Sequence, residues 1–221
     1  ELDAGTLAEL ERLHTERYDA ERGGFGRVHK FIDPASLEYC IARALDGDAE
    51  AEHMARQTLD AALALIDPVW GGIYQYSTGG VWTEPHFEKI MSYQADDLRV
   101  YALAYAAWKD PRHLRAAQDI RRFLAAFLTS PSGAFYTSQD ADLVPGEHSA
   151  EYFALDDRAR RARGVPRVDT HVYARENGWA IRGLCALHSA TGDVDAQPSQ
   201  HLNTTQRLHD SIILHIRNAP E

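Results

Sequence analysis

The chain has 221 residues, a formal net charge of −10 and 44% hydrophobic residues, which is ordinary for a globular protein of one large or two small domains. The negative charge argues against a general nucleic-acid or anionic-membrane role, because phosphates would be repelled. No run approaches the roughly 20 apolar residues of a membrane span, so we expect no membrane partner. The chain starts at Glu1 and shows no signal peptide, which predicts a trimmed N-terminus and a cytoplasmic location.

The two cysteines, Cys40 and Cys185, lie far apart, without a CxxC motif, and each falls on an apolar helical stripe. This arrangement predicts buried, inert thiols and supports neither a disulfide scaffold nor a cysteine-based zinc site. A second group, Glu147, His148 and Glu151, matches no strong metal-ligand spacing. We therefore expect no metal and no cofactor.

Apolar residues at helical spacing predict successive helices, each bounded by an N-cap, a proline or a glycine turn. The first helix follows a capping box at Thr6 and Glu9, the second begins at Asp33, and the third covers about 51–66. Two further helices run from Pro85 to about Trp108 and from Asp110 to Leu128, and the last clear helix lies near 179–191. Strand patterning is scarce, and its best short run is 150–155. The arginine-rich run at 158–164 is predicted to be a solvated helix face.

A short glycine–aromatic loop recurs between successive helix pairs. It reads GGFG at 23–26, GGIY at 71–74 and GAFY at 133–136. This spacing indicates a degenerate helical-hairpin repeat, in which no pair can bury its apolar face alone. Such hairpins stack as an open solenoid or curl into a closed α/α toroid, whose loops converge on a central pocket. Aromatic rings and carboxylates in such a pocket would suit a sugar.

Two clusters contain the candidate catalytic residues. His86 and Glu88, at the predicted start of a helix, could act as general acid and base, or they could only complement the helix dipole. Asp140 and Asp142 could bind sugar hydroxyls, hold a metal or serve as acid and base. Alternatively, they could simply form a turn, since aspartate bends loops readily.

The remaining candidates would bind a substrate rather than react with it. Tyr76, Trp82 and Phe135 would form a stacking wall for a sugar ring. His171 and Asn177, just before the last clear helix, are predicted ligand contacts, although Asn177 is also a natural helix cap.

Four segments, in this order, resemble one known family. They are GGFGRVHKF from Gly23, GGIYQYSTGGVWTEPHFEKI from Gly71, GAFYTSQDAD from Gly133 and ENGWAIRGLCAL from Glu176. They are similar to the thioredoxin-linked family of spermatogenesis-associated thioredoxin-like proteins. Members of this family pair a thioredoxin-like domain with an (α/α)6 toroid, which is similar to that of N-acylglucosamine 2-epimerases and six-hairpin glycosidases. The resemblance covers about Gly23 to Thr191.

The resemblance implies an all-α fold, with a partial α/α toroid over 1–193 and a divergent tail over 194–221 that could form one helix. About six or seven helices are predicted where the family toroid has twelve. We expect no thioredoxin-like domain within these 221 residues, which hold no CxxC motif, and Glu176 stands where the family has a tryptophan. An incomplete toroid would expose apolar helix faces, so we expect either a homo-oligomer or marginal stability.

The resemblance also implies a carbohydrate-active protein with a small sugar-like ligand. One form is a sugar epimerase or isomerase, in which His86 would move a proton near neutral pH. Another is a glycoside hydrolase, which would favour two opposed carboxylates. The alternative is a non-catalytic module that binds a sugar or a partner beside a thioredoxin-like domain.

Overall fold

A computed structural model describes residues 3–147 and 149–192, so the predicted tail at 194–221 lies outside the described residues. The helices within the described residues are α1 Ala4–Arg17, α2 Pro34–Leu45, α3 Ala49–Ala62, α4 Met91–Trp108, α5 Pro111–Phe127, α6 Ala150–Phe153, α7 Asp157–Arg163 and α8 Ala174–Thr191. The short strands are β1 Tyr76–Ser77, β2 Pro85–His86, β3 Lys89–Ile90, β4 Ser138–Gln139 and β5 Val168–Asp169. Among these residues, every helix is too short or too polar to span a lipid bilayer.

The chain divides into two compact units. The first unit contains Glu1–Leu65 and Gln75–His86, and the second contains Ile66–Tyr74 and Phe87–Glu221. The first unit therefore holds α1, α2, α3 and the antiparallel β1–β2 pair. The second unit holds α4 to α8 and a three-stranded antiparallel sheet in the order β3–β4–β5.

In the first unit, α2 and α3 form a helical hairpin with aspartate caps. Asp33 accepts a hydrogen bond from the backbone of Ser36, and Pro34 occupies the first turn, where its missing N–H costs nothing. Asp48 caps α3 in the same way. The apolar stripes of the two helices meet, and their buried residues include Leu37, Cys40, Ile41, Met54, Ala55 and Leu59.

In the second unit, α4 is the central helix and packs against both α5 and α8. The α8 contact is close because Gly183 has no side chain: a Cβ there would lie 2.6 Å from the Ala95 carbonyl oxygen. The buried core of the unit lies around this helix, and it includes Leu98, Tyr101, Ile120, Phe123 and Leu124.

The glycine–aromatic loops share one hydrogen-bonding pattern. In each loop, the backbone carbonyl of a polar residue a few positions before the first glycine accepts a hydrogen bond from the N–H of that glycine. The backbone N–H of the same polar residue donates a hydrogen bond to the carbonyl of the second small residue. The two N···O distances are 2.7 and 2.9 Å in the first loop, where Asp19 bonds Gly23 and Gly24. They are 3.0 and 3.0 Å in the second loop, where Asp67 bonds Gly71 and Gly72, and 2.9 and 2.8 Å in the third, where Ser130 bonds Gly133 and Ala134. The predicted repeat is therefore a repeated backbone turn.

Several local predictions were wrong. The helix predicted from Pro85 begins at Met91, because the preceding residues pair as β2 and β3. The run at 150–155 contains helix α6 instead of a strand. The N-cap of α1 is Asp3, whose carboxylate accepts from the backbone of Thr6, so the capping box is displaced. Cys40 is buried as predicted, but Cys185 is exposed on α8.

Candidate functional site

The three-stranded sheet of the second unit has one buried face and one partly exposed face. Lys89 of β3 lies opposite Gln139 of β4, and both side chains are fully buried. One position along, Ile90 lies opposite Ser138, which in turn lies opposite Asp169 of β5, and all three are partly exposed. Successive side chains alternate between the faces of a strand, so residues two apart from Ser138 share its outer face.

This register places three charged residues opposite one another on neighbouring strand ends. Extending the β3–β4 pairing by one residue sets Glu88 opposite Asp140, and extending the β4–β5 pairing sets Asp140 opposite Arg167. The Asp140 N–H donates to the Arg167 carbonyl at 2.8 Å, which agrees with this register. The Arg167 Nε lies 3.9 Å from Asp140 Oδ2. We call Glu88, Asp140 and Arg167 the polar row.

A histidine–carboxylate pair lies on the strand beside the polar row. His171 Nδ1 is 2.5 Å from Asp169 Oδ1. This hydrogen bond is the main reason that the pKa of the Asp169 carboxyl lies below its usual range. The His171 ring stacks on Tyr173, and its backbone carbonyl accepts from the Thr137 hydroxyl at 2.8 Å. His171 is thus an exposed imidazole held at the edge of the same sheet.

Asp140 and Asp142 also form the turn that follows β4. Asp140 Oδ1 accepts from the Asp142 N–H at 3.2 Å, and Asp142 Oδ2 accepts from the Gly146 N–H at 3.3 Å. Aspartates commonly make such bonds to the backbone ahead of them. Both carboxylates therefore hold the loop, and Asp140 also belongs to the polar row.

His86, the other candidate acid or base, belongs to the first unit, whereas Glu88 belongs to the second. His86 lies opposite Tyr76 across the β1–β2 pair, and the two rings stack with centroids 5.1 Å apart. The His29 ring lies 5.1 Å from Tyr76 as well. Tyr76 is therefore bracketed by two imidazoles within the first unit.

Trp82 is 6% exposed and fastens the first glycine loop. Its indole Nε1 donates to the Arg22 carbonyl at 2.8 Å. A Cβ at Gly24 would lie 3.0 Å from the Trp82 ring, so the loop approaches the ring closely only with glycine there. The ring's described contacts are thus with its own unit.

Phe135 and Asn177 are joined by an amide clamp. Asn177 Oδ1 accepts from the Phe135 N–H at 2.7 Å, and its Nδ2 donates to the Phe135 carbonyl at 3.0 Å. Gln94 holds Ile73 in the same way, at 2.9 and 2.6 Å. Asn177 is fully buried, and the N-cap of α8 is Tyr173, so the predicted capping role was wrong.

The sequence interpretation did not single out a buried cluster of charges in the second unit. Asp67, Lys89 and Arg160 each have fully buried side chains. Burial would raise the pKa of the Asp67 carboxyl, but the two cations outweigh it and lower that pKa. Burial lowers the pKa of Lys89 to about 8, against the attraction of Asp67.

A repeated sequence signal could have identified the Asp67–Lys89 pair. Both of the first two loops have an aspartate four positions before the glycine pair, followed later by a lysine. In the first unit, Lys30 Nζ lies 2.6 Å from Asp19 Oδ2 and 2.8 Å from the Gly23 carbonyl oxygen. Lys89 makes the same contacts with Asp67 and Gly71, at 2.7 and 2.8 Å. No comparable signal pointed to Arg160.

The fold is an α/α toroid, of which the chain covers a part. A sugar epimerase from a ruminal bacterium matches with a TM-score of 0.63 at 16% identity, over 90% of this chain and 53% of its own. A D-mannose isomerase matches with a TM-score of 0.61 at 13% identity, over 93% and 51%. A family 76 glycoside hydrolase from Bacteroides thetaiotaomicron matches with a TM-score of 0.58 at 17% identity, over 79% and 33%.

By sequence, the chain is similar to spermatogenesis-associated protein 20. The human protein is 34% identical over 137 residues, and the mouse protein gives the same identity over the same length. These matches cover 59% of this chain but only 17% of either relative. No protein-family model matches the chain. The resemblance read from the sequence motifs is thereby confirmed.

Proposed function

We propose that this chain is part of a carbohydrate-active protein that binds a hexose at the outer face of the β3–β4–β5 sheet. The observation that carries the proposal is the register that sets Glu88 opposite Asp140. Residues directly opposite in an antiparallel pair have Cβ atoms about 5 Å apart. Two carboxylates whose Cβ atoms are this close can reach one sugar and divide the roles of proton donor and proton acceptor.

The groups around this pair suit sugar hydroxyls. Arg167, whose side chain is 82% exposed, can donate several hydrogen bonds, and the Asp169–His171 pair offers both a donor and an acceptor. Sugar sites generally combine a few such polar groups with ring surfaces. Two structural neighbours, an isomerase and an α-1,6-mannanase, act on mannose or its polymer, so D-mannose is the first ligand to test.

For an isomerase or epimerase, we propose that one carboxylate takes the proton from the carbon beside the sugar carbonyl. Return of the proton to the former carbonyl carbon, while the second carboxylate passes the proton of the neighbouring hydroxyl to the former carbonyl oxygen, gives isomerisation. Return of a proton to the opposite face of the same carbon gives epimerisation. A glycosidase would use one carboxylate as the general acid and the other as a nucleophile or as the base that activates a water, depending on the separation of the two carboxyl groups. His86, which belongs to the first unit, and Asp142 stay predicted catalytic residues, and neither takes part in the step proposed for this pair.

The test is calorimetric titration of the purified chain with D-mannose, with D-glucose in parallel. Glu88→Gln and Asp140→Asn should each weaken mannose binding by about tenfold, because each removes a charge-assisted hydrogen bond. Glu151→Gln, on the exposed side of α6, is the matched control and should leave the affinity unchanged. A wild-type chain that takes up no hexose, or variants that bind as well as wild type, would contradict the proposal.

The same samples separate catalysis from binding. Proton NMR of mannose in D2O would reveal deuterium incorporation at carbon 2, and mannobiose would reveal hydrolysis. Turnover that disappears in Glu88→Gln supports an enzyme. Binding without turnover instead favours the alternative, a sugar-binding module that would be attached to a thioredoxin-like domain.

A further inference from the structure

One carboxylate in the second unit is shared by two buried cations. Asp67 Oδ2 accepts from Lys89 Nζ at 2.7 Å and from Arg160 Nη1 at 2.7 Å, and Oδ1 accepts from the Val69 N–H at 2.9 Å. Burial of each charge costs several kcal/mol, and apolar residues of similar volume often give a more stable core. A cluster with one negative and two positive charges is therefore poorly explained by stability alone.

Each cation belongs to a different segment of the site. Lys89 lies in β3, directly after Glu88, and its Nζ also donates to the Gly71 carbonyl at 2.8 Å. Arg160 lies in α7, and its guanidinium also donates to the carbonyls of Phe153 and Leu155. Asp67 thus joins the strand that carries Glu88 to the helices α6 and α7.

Helices α6 and α7 form an excursion whose two ends are Asp140 and Arg167. These two residues are joined by the 2.8 Å bond from the Asp140 N–H to the Arg167 carbonyl. Besides Arg160, a bond of 2.7 Å from the Trp70 indole Nε1 to Asp157 Oδ1 fastens the excursion to the Asp67 loop. Because α7 ends at Arg163, close to Arg167, a displacement of the excursion can reach Arg167 and, through the 2.8 Å bond, Asp140.

We propose that Asp67 is a positioning residue of the polar row: its carboxylate sets the separation of Glu88 and Asp140. The Asp67 carboxylate holds Lys89, which is the neighbour of Glu88 in the chain. It also holds Arg160, which lies in the excursion that begins at Asp140. This inference rests on the proposed function for its consequence, but its geometry can be tested without any sugar.

The first unit supplies an internal control. Asp19 occupies the same place in its own glycine loop and pairs with Lys30 at 2.6 Å, but no arginine side chain joins this pair among the described residues. Asp19→Asn therefore removes the same kind of carboxylate from the same kind of loop. It leaves the strand of Glu88 and the α6–α7 excursion untouched.

The experiment measures the rate at which a disulfide forms between cysteines placed at the positions of Glu88 and Asp140. Both are replaced by cysteine in a Cys185→Ser background, and disulfide formation with oxidised glutathione is timed. Displacement by about 1 Å can slow a reaction between positioned groups by on the order of 100-fold, so we expect Asp67→Asn to slow the crosslink by about tenfold. Asp19→Asn should leave its rate unchanged. Equal rates in both, or no crosslink in the parent, would overturn the inference.

Arg160→Met covers the case in which Asp67→Asn does not fold. It leaves the Asp67–Lys89 pair intact, as in the first unit, and removes the contact between the excursion and Asp67, while the Trp70–Asp157 bond remains. It should slow the crosslink by a similar factor, and an unchanged rate would overturn the inference. In chains that retain Glu88 and Asp140, the affinity for D-mannose should fall in parallel. If the wild-type chain binds no hexose but the crosslink rates follow this pattern, only the proposed function fails.

Discussion

Asp97 is an acid enclosed within α4. It is 2% exposed, and its Oδ1 has no hydrogen-bond partner among the described residues. Burial, with a smaller contribution from Asp96, raises its pKa well above the ordinary value of 3.8. The unfolded chain therefore releases this proton near pH 4, while the folded chain keeps it. Since the unfolded state then binds fewer protons, the contribution of Asp97 to stability falls as pH rises above about 4.

Asp97→Asn should remove this dependence. Relative to wild type, the variant's free energy of unfolding should increase between pH 4 and pH 7, by up to about 1.4 kcal/mol per pH unit. Urea unfolding at several pH values measures it. Asp96→Asn is the control, because that side chain reaches solvent and contacts Arg182 at 2.5 Å. A difference between Asp97→Asn and wild type that stays constant with pH would show that Asp97 is ionised in the folded chain.

At the scale of elements, the sequence predicted the helices well where apolar periodicity and caps agreed. The helices that begin at Pro34 and Pro111 have aspartate caps at Asp33 and Asp110, as expected. The α4 boundary failed because its apparent first turn contains Lys89, which needs an extended backbone to reach Asp67. That requirement arises from a contact between distant residues, which local propensity does not register.

The contact between α4 and α8 depends on one glycine. Gly183→Ala would place a methyl group 2.6 Å from the Ala95 carbonyl oxygen, so the helices would have to separate. We expect a loss of about 2 kcal/mol in the free energy of unfolding, as is usual for overpacking. Gly178→Ala, in the same helix, meets open space and should instead stabilise it by up to about 1 kcal/mol. Thermal and urea unfolding would compare the two, and equal effects would refute the close approach.

At the scale of the whole molecule, the repeat of glycine loops was predictable because its motif is local. The candidate site was only partly predictable. Asp140 was recognisable from its loop, but its place opposite Glu88 depends on strand register, and these strands are only two residues long. Arg160 could not be distinguished from the other arginines of the run at 158–164, and Arg167, just beyond that run, lies in no recognised motif. Their different roles follow from the path of the α6–α7 excursion, which no periodicity specifies.

The repeated lysine–aspartate pair gives a prediction that compares the two units. Lys30→Met leaves Asp19, whose side chain is 14% exposed, without its cation. Removal of one partner from a buried pair typically costs about 3 kcal/mol or more. Lys89→Met, in contrast, leaves Asp67 paired with Arg160 at 2.7 Å and removes an excess buried positive charge.

We therefore expect Lys89→Met to lower the free energy of unfolding less than Lys30→Met does, by about 2 kcal/mol. We expect this although the Lys89–Asp67 pair is more deeply buried than the Lys30–Asp19 pair. Hydrogen exchange measured by mass spectrometry reads the two units separately, through peptides from α2 and α3 and from α4 and α5. Arg160→Met in combination with Lys89→Met is the control, because it leaves Asp67 without any cation and should restore the full cost. If Lys89→Met alone is already the more damaging change, Arg160 does not compensate Asp67 and the charge cluster is not shared.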